Sequence, residues 1–185
     1  PPPFMFGTAL ERNYEGLLAT LPFWRNVWNS VYVASLATIT TLFFCSLAGF
    51  GFALYEFRGR NVLFGFLIAS LTFPQLLNII PYYLIIDFLG WLDTPRALWF
   101  PGMASAFGIF LMRQAFKSVP IELHEAAKIE GCSLMGILWR VYVPLARPTY
   151  LAYALVSVST HWNNFLWPLI VTNSNETRPL TVGLS

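Results

Sequence analysis

The sequence predicts an all-α membrane protein, and three observations support that prediction. Hydrophobic residues make up 56% of the 185 residues and charged residues only 11%, unlike the balance of a soluble domain. Four long segments carry almost no charge, and each approaches or exceeds the length that crosses a bilayer as a helix. A polar segment, residues 117–147, separates the third of these from the fourth.

Residues 1–25 form a mixed polar and aromatic lead, which we expect outside the membrane. The lead lacks the basic and apolar pattern of a signal peptide. Residues 26–55 carry no charge and are predicted as the first membrane helix, because about 20 apolar residues suffice to cross a bilayer. Gly49 and Gly51 in this helix indicate either close packing against a neighbouring helix or the simple tolerance of glycine in membrane helices.

Residues 62–86 are predicted as the second membrane helix, kinked by the two prolines within it. Gln75 and Asn78 would lie at membrane depth. Polar groups there either line a transport pathway or bond neighbouring helices. Together with Tyr82, these two residues are candidates for a substrate path.

Residues 97–116 are predicted as the third membrane helix. Its uncharged core, residues 97–112, has 16 residues, so either a flanking arginine must extend its charge to the interface or the helix must tilt little.

Residues 148–172 are predicted as the fourth membrane helix, and residues 173–185 as an external segment. His161, Asn163 and Asn164 lie near the centre of the helix, where polar groups are costly unless they face protein or water. The two asparagines are further candidates for the substrate path. The neighbouring Trp162 and Trp167 either stack on a sugar ring or fill an aromatic bend near the interface.

Residues 117–147 carry the signals of two short helices. The first is predicted over residues 121–130, where Gly131 ends it as a C′ glycine. Ser133 caps the second, and Pro144 ends it. An apolar stripe at helical spacing on the second helix consists of Leu134, Ile137, Leu138 and Val141. A segment of this kind either docks into a groove on a partner or is a solvated connecting loop.

This segment resembles the EAA loop of ABC-importer permeases, in which Glu-Ala-Ala is followed at fixed distances by Gly and by Ile-x-Leu-Pro. The residues that match at the family's offsets are Glu125, Ala126, Ala127, Gly131 and Pro144. Val141 and Val143 stand where the family usually has Ile and Leu, which keeps the apolar character. Residues 162–169 and 178–184 also look like permeases of the maltose and glycerol-phosphate type, so the resemblance covers nearly the whole chain.

The resemblance implies a multi-pass permease subunit in the cell (inner or plasma) membrane of a bacterium or archaeon. It would lie in membrane lipid and form the path for sugars, related polyols or sugar phosphates. The EAA loop would be cytoplasmic and would couple this transmembrane domain, residues 26–175, to an ABC ATP-binding subunit. Such permeases usually have six spanning helices, so a chain with four is expected to be a fragment that lacks the first and last.

The partners implied by the resemblance are a dimer of ATP-binding subunits, a second permease and an extracytoplasmic solute-binding protein. ATP hydrolysis belongs to the partner, so this chain is expected to be a non-catalytic subunit. No GxxxxGK[ST] phosphate-binding pattern occurs in the sequence. We expect no cofactor and no metal, because the two histidines and two cysteines lack ligand spacing.

Charge agrees with a cytoplasmic EAA loop. That orientation places seven of the eleven basic residues inside and four outside, as the positive-inside rule predicts, although the excess alone leaves the opposite orientation open. A net charge of +2 gives no basic field for nucleic acid. The alternative function is a gradient-driven secondary transporter or channel. The four apolar segments contain no acidic residue for ion coupling, which argues against it.

Overall fold

The structure is a computed structural model that describes residues 9–185; residues 1–8 of the predicted lead lie outside the described residues. The described chain is helical and contains no strand, which confirms the all-α prediction. The helices are α1 (Ala9–Thr20), α2 (Phe23–Leu54), α3 (Arg60–Ser70), α4 (Ile79–Phe88), α5 (Pro95–Trp99), α6 (Ala106–Lys117), α7 (Ile121–Ile129), α8 (Leu134–Ile137), α9 (Val143–Leu145), α10 (Arg147–Trp162), α11 (Leu166–Val171) and α12 (Leu180–Gly183).

Helix α2 is the element against which much of the described chain packs. Its 32 residues give a length of about 48 Å at 1.5 Å per residue. α6 and α10 pack along it. Its buried face is mostly small or hydroxyl-bearing: Ser30, Ala34, Ala37, Thr38, Thr41, Cys45, Ser46 and Gly49. Small side chains let helix backbones approach closely, which is how apolar helices associate within a membrane.

Gly49 and Gly51 lie in different environments, so the two explanations offered for this pair, close helix packing and simple tolerance of glycine, apply to different residues. A methyl group at Gly49 would stand 2.7 Å from Met112 Cβ and 2.9 Å from the Arg113 backbone nitrogen, so Gly49 is required where α6 crosses α2. A methyl group at Gly51 would meet no atom within 4 Å. Close packing therefore applies to Gly49, and tolerance of glycine applies to Gly51.

The prediction of one helix over residues 62–86 is wrong. α3 and α4 are separate, with a 3₁₀ turn over Gln75–Asn78 between them, and they meet at an angle of 97°. Pro74 lies at the break. Proline has no N–H to continue a helix, and its ring disfavours helical geometry at the preceding residue. The sequence therefore predicted a kink where the chain in fact turns through about a right angle.

The predicted helices over residues 97–116 and 148–172 are also broken. The first consists of α5, a 3₁₀ turn over Phe100–Gly102, and α6, whose start Ser105 caps by accepting a hydrogen bond from the Gly108 N–H at 3.3 Å. The second consists of α10 and α11. Pro168 lies in the first turn of α11, and in a continuous helix its ring would clash with the carbonyl four positions earlier, which favours a break before α11.

Among the described residues, α2 is the helix long and apolar enough to cross a membrane unbroken, and the bent pair α3 and α4 passes the same test when joined. The number of membrane crossings stays a prediction. α2 begins three residues before the predicted start, inside the predicted lead. The rest of the described lead is largely helical, as α1.

The C-terminal segment, residues 173–185, is bound to the start of α2 rather than loose. The Asn29 side-chain amide donates to the backbone carbonyls of Glu176 and Arg178, at 2.8 and 3.1 Å. The backbone N–H of Leu180 donates to the Ser30 hydroxyl at 2.8 Å. These bonds hold the end of the described chain against the end of α2 that lies opposite the polar segment, residues 117–147.

Asp93 ties the turn between α4 and α5 to the same C-terminal segment. Its carboxylate accepts hydrogen bonds from the backbone N–H groups of Asn173 and Ser174, at 3.0 and 3.1 Å, and from the hydroxyls of Ser174 and Thr177. Desolvation raises the pKa of Asp93, but these bonds together outweigh it and lower the pKa to about 2. Asp93 also has a φ of +56°, a left-handed conformation that few residues with a side chain adopt.

Candidate functional site

Two short helices, α7 and α8, meet at Gly131 in the polar segment, as the sequence predicts. Gly131 has a φ of +79°. Its N–H donates to the Lys128 carbonyl at 3.1 Å, and the Cys132 N–H donates to the Ala127 carbonyl at 3.0 Å. This is the Schellman arrangement, which favours glycine at its left-handed position. The Ser133 hydroxyl then caps α8 by accepting from the Gly136 N–H at 3.2 Å.

α7 has an inward and an outward side. Ala127 faces the core and is only 8% exposed, whereas Glu125 and Ala126 are exposed. No described residue forms an ion pair with the Glu125 carboxylate. Ile129 is 87% exposed. The outward side therefore combines an unpaired carboxylate, a small residue and an apolar side chain.

The apolar stripe predicted on the second helix lies elsewhere than expected. Ile137 and Leu138 are fully buried in the chain's own core, and Leu134 is exposed. Pro144 does not end this helix, which was an error of the sequence-based prediction. The helical path continues through a π-helical turn, Leu138–Tyr142, into α9. Pro144 can occupy the first turn of α9, where its missing N–H is not needed.

An aromatic cluster joins this segment to the two helices beneath it. Tyr142 packs edge-on against Phe50 of α2 and Phe116 of α6, with ring centroids 5.2 and 5.6 Å apart. His124 of α7 lies 6.4 Å from Phe50 and 6.0 Å from Tyr142. Phe50, Phe116 and Tyr142 are buried, so His124 connects α7 to closely packed rings of the core.

A cavity of about 760 Å³ lies where the three predicted spanning helices are broken. Its walls include residues beside each break: Ser70, Leu71 and Phe73; Ala104 and Ser105; and Asn164. Its volume falls within the roughly 300–1,000 Å³ of small-molecule sites. The breaks that interrupt the helices therefore converge on one partly open cavity.

The structure brings together four of the five residues that the sequence proposes for a substrate path. Gln75, Asn78, Tyr82 and Asn164 line the cavity. Asn163 does not: it is exposed at the end of α10, and its amide donates to the Ser159 carbonyl at 2.8 Å.

The two tryptophans also separate. Trp167 lines the cavity, and Trp162 is not part of its wall. The Trp167 indole N–H donates to the Ala97 carbonyl at 2.8 Å, and its ring packs edge-on against Tyr82 at 6.3 Å. Trp167 is thus an anchored aromatic wall.

Residues 42–184 match the family of binding-protein-dependent transport system inner membrane components. The chain belongs to this family. The match includes both the α7–α8 segment and the cavity, so the sequence-based resemblance is confirmed.

Several transport permeases are similar to this family member along most of its length. The lactose transport system permease protein LacG of Rhizobium radiobacter is 39% identical over 180 residues, 97% of this chain and 66% of LacG. The arabinooligosaccharides transport system permease protein AraQ of Bacillus subtilis is 34% identical, over 85% of this chain and 56% of AraQ. The chain thus spans less than two thirds of the length of these two relatives.

The chain also resembles a permease named for a charged substrate and a transporter of known structure. The sn-glycerol-3-phosphate transport system permease protein UgpE of Rhizobium meliloti is 30% identical, over 100% of this chain and 68% of UgpE. A bacterial ABC transporter involved in the import of the acidic polysaccharide alginate superposes with a TM-score of 0.83 at 29% identity, over 91% of this chain and 60% of that one.

Sequence analysis of this permease-family chain missed one polar row on the cavity wall. Tyr153, Ser157, Thr160 and His161 of α10 all line the cavity. Their spacing of four, seven and eight positions places them on one helical face. The helix centre showed Thr160 and His161 together with the amides that follow them, but only the amides were placed on the substrate path. A helical projection of residues 147–162 would have found the whole row.

Proposed function

We propose that this chain is the membrane-spanning permease subunit of an ATP-driven, binding-protein-dependent importer of sugars, related polyols or sugar phosphates. Membership of the inner-membrane-component family supports the importer assignment. The similar permeases are named for lactose and arabinooligosaccharides, which supports a carbohydrate class. The chain works with a second permease, a dimer of ATP-binding subunits and an extracytoplasmic solute-binding protein.

The observation that carries the proposal is the two-sided coupling segment, α7 to α8. Its inner side is packed into the core through Ala127, and its outer side presents Glu125, Ala126 and Ile129 without intramolecular cover. A rigid element that is fixed on one side and open on the other suits docking against a moving partner. The partner is the ATP-binding subunit, which carries the catalytic chemistry.

The segment transmits motion through the aromatic cluster. Closure of the ATP-binding dimer displaces α7, and His124 and Tyr142 pass this displacement to Phe50 of α2 and Phe116 of α6. Because packed interiors resist compression, α2 and α6 move with it. α2 and the region just before α6 also wall the cavity through Thr41 and Ser105, so the same motion alters access to the solute path.

The proposed topology places the coupling segment in the cytoplasm and residues 1–25 and 173–185 outside. Four segments cross the membrane, three of them as broken helices around the cavity. Lipid-exposed backbone breaks are unstable at membrane depth, whereas breaks that line a cavity are tolerated. The convergence of the breaks on one cavity supports this arrangement.

The experiment is a detergent pull-down of the complete protein with its ATP-binding subunit. We expect wild type to retain the subunit, Glu125→Ala to retain less and Gly131→Asp to release it. Gly90→Asp is the matched control, because Gly90 also has a positive φ, +65°, with open space around it, yet lies in the turn after α4. Equal retention by wild type and Gly131→Asp, or no retention by wild type, would favour a gradient-driven transporter instead.

A further inference from the structure

We propose that the cavity binds a neutral, polyhydroxylated solute, and that Nε2 of His161 accepts a hydrogen bond from one of its hydroxyl groups. This rests on the transport function proposed above and narrows its substrate class to uncharged sugars or polyols. Sugar phosphates and acidic sugars are disfavoured.

The hydrogen bonding of His161 assigns the acceptor role. Its Nδ1 lies 2.8 Å from the Ser157 backbone carbonyl. A carbonyl oxygen only accepts, so Nδ1 carries the hydrogen. In a neutral imidazole the other nitrogen, Nε2, is then an acceptor. No described residue bonds Nε2, and His161 lines the cavity.

Hydroxyl groups of α2 fix the position of the α10 turn that carries His161 and of the Gly102 backbone that faces it. The Thr38 hydroxyl bonds the Ser157 hydroxyl at 3.0 Å in a buried contact, which fixes the turn of α10 that orients His161. The Thr41 hydroxyl donates to the Gly102 carbonyl at 2.6 Å. A polar group held by packed neighbours in this way keeps its geometry when a ligand arrives.

Gly102 leaves the acceptor open. A methyl group at Gly102 would stand 2.9 Å from Nε2 of His161, which would cover the lone pair or displace the ring. The absence of a side chain at this position therefore keeps Nε2 accessible. It also provides a substitution that tests the acceptor without changing the histidine.

The charge of the wall argues for a neutral solute. Among the described residues that line the cavity, none is Asp, Glu, Lys or Arg. An anion taken from water into such a site would lose hydration without gaining a counter-charge. Helix starts on the wall would favour an anion only weakly without a full counter-charge, and at the start of α6 the Gly108 N–H is already bonded to Ser105.

The remaining lining suits a sugar ring. Gln75, Asn78 and Asn164 supply amide donors and acceptors for hydroxyl groups. Trp167 and Tyr82, held edge to face, supply an aromatic wall for the apolar face of a pyranose. Polar groups on several walls and an aromatic face on another match a molecule that is hydroxylated at its rim and apolar on its ring faces.

Saturation-transfer NMR on the purified transporter without its solute-binding protein tests the proposal. The complex contains both permeases and the ATP-binding subunits, and neither ATP nor transport is required. The neutral probes are lactose, maltose and trehalose; the anionic probes are sn-glycerol 3-phosphate and galacturonate. We expect transfer to at least one neutral probe and to neither anion.

Variants then test His161. We expect His161→Ala and Gly102→Ala each to weaken binding of the neutral probe roughly fivefold, the loss expected for one hydrogen bond. Gly102→Ala should have no further effect in the His161→Ala background, since the group it covers is gone. His161→Gln, which retains an acceptor, should bind more tightly than His161→Ala. Ser159→Ala, off the cavity on the same helix, is the control.

Three outcomes would overturn the proposal. They are transfer to an anionic probe, no transfer to any of the three disaccharides, and undiminished binding in both His161→Ala and Gly102→Ala. Failure of the transport function would instead appear as loss of the ATP-binding subunit in the pull-down. The two failures are therefore distinguishable, because the binding measurement uses complexes whose assembly has already been verified.

Discussion

Gly49 of α2 lies so close to Met112 of α6 that a methyl group at position 49 would stand 2.7 Å from Met112 Cβ. Met112 is fully buried, so neither helix can move aside without disturbing the core. Two residues further along, Gly51 faces open space. The pair thus offers the same substitution in two opposite environments.

We expect Gly49→Ala to lower the free energy of unfolding by about 1–3 kcal/mol, because an added methyl overpacks the crossing. Gly51→Ala should raise it by up to about 1 kcal/mol, because alanine favours the helix more than glycine does. Apparent unfolding temperatures from tryptophan fluorescence in detergent would measure both. Equal temperatures for the two variants would contradict the assigned close approach.

Asp93 should make the outer end of the fold sensitive to acid. Its pKa is lowered from 3.8 to about 2, so its stabilising contribution is complete above pH 4 and is lost as the pH falls toward 2. Asp93→Asn should be less stable than wild type at pH 7 and should lose less stability over that acid range. Thermal unfolding between pH 7 and pH 2 measures this.

Asp87→Asn is the matched control for Asp93→Asn. Asp87 is exposed near the end of α4, and the described residues give its carboxylate no ion pair. The Asp87→Asn variant should therefore show the same dependence of unfolding temperature on pH as wild type. Parallel acid profiles for wild type and Asp93→Asn would show that the hydrogen bonds to Asp93 contribute nothing to stability.

Ala126 and Ala127 should respond differently to the same enlargement. Ala126→Leu should leave the unfolding temperature close to that of wild type and weaken retention of the ATP-binding subunit, because Ala126 lies on the outer side of α7. Ala127→Leu should destabilise the chain itself by roughly 1–3 kcal/mol, because Ala127 is buried. Unfolding temperature and pull-down yield, measured on both variants, separate the two effects.

Retention that survives Ala126→Leu would place the docking surface elsewhere, with exposed Ile129 as the next position to test. Loss of retention in Ala127→Leu alone would be attributed to unfolding of α7. These two outcomes remain separate only because both quantities are measured on each variant.

Phe50 should be needed for coupling more than for assembly. Phe50→Leu keeps an apolar side chain but removes its aromatic contacts with Tyr142 and His124. We expect a loss of roughly 1 kcal/mol in stability, normal retention of the ATP-binding subunit and fewer solute molecules imported per ATP hydrolysed. Proteoliposomes with measured uptake and hydrolysis provide that ratio. Phe44→Leu, on the exposed face of α2 where its ring packs edge-on against Phe43, should leave this ratio unchanged.

The coupling segment could be predicted from sequence because its signals are local. A glycine at a left-handed position and a serine cap act over four or five residues, so Gly131 and Ser133 could be assigned without knowing the fold. The continuation past Pro144 could not be predicted in the same way. It depends on burial of Ile137, Leu138 and Tyr142, which holds the π-helical turn in place through packing.

The cavity was harder to predict, because it depends on where three separate segments break and then meet. Hydropathy identifies apolar segments but does not distinguish a kink at Pro74 from the 97° turn that occurs there. Gln75, Asn78 and Asn164 could be proposed because amides are costly at membrane depth. His161 could be recognised as a costly polar residue near the centre of the fourth predicted helix, but it was not assigned to the substrate path because its neighbours on α10 were not considered together with it.

The three helix breaks affect how substitutions in the cavity wall would alter the proposed preference for a solute. Each break frees main-chain N–H and C=O groups that a continuous helix would satisfy. Part of the hydrogen-bonding capacity around the cavity therefore belongs to the backbone and does not depend on residue identity. Side chains on the wall can be exchanged one at a time, which changes the selectivity of the cavity while its polar frame is retained.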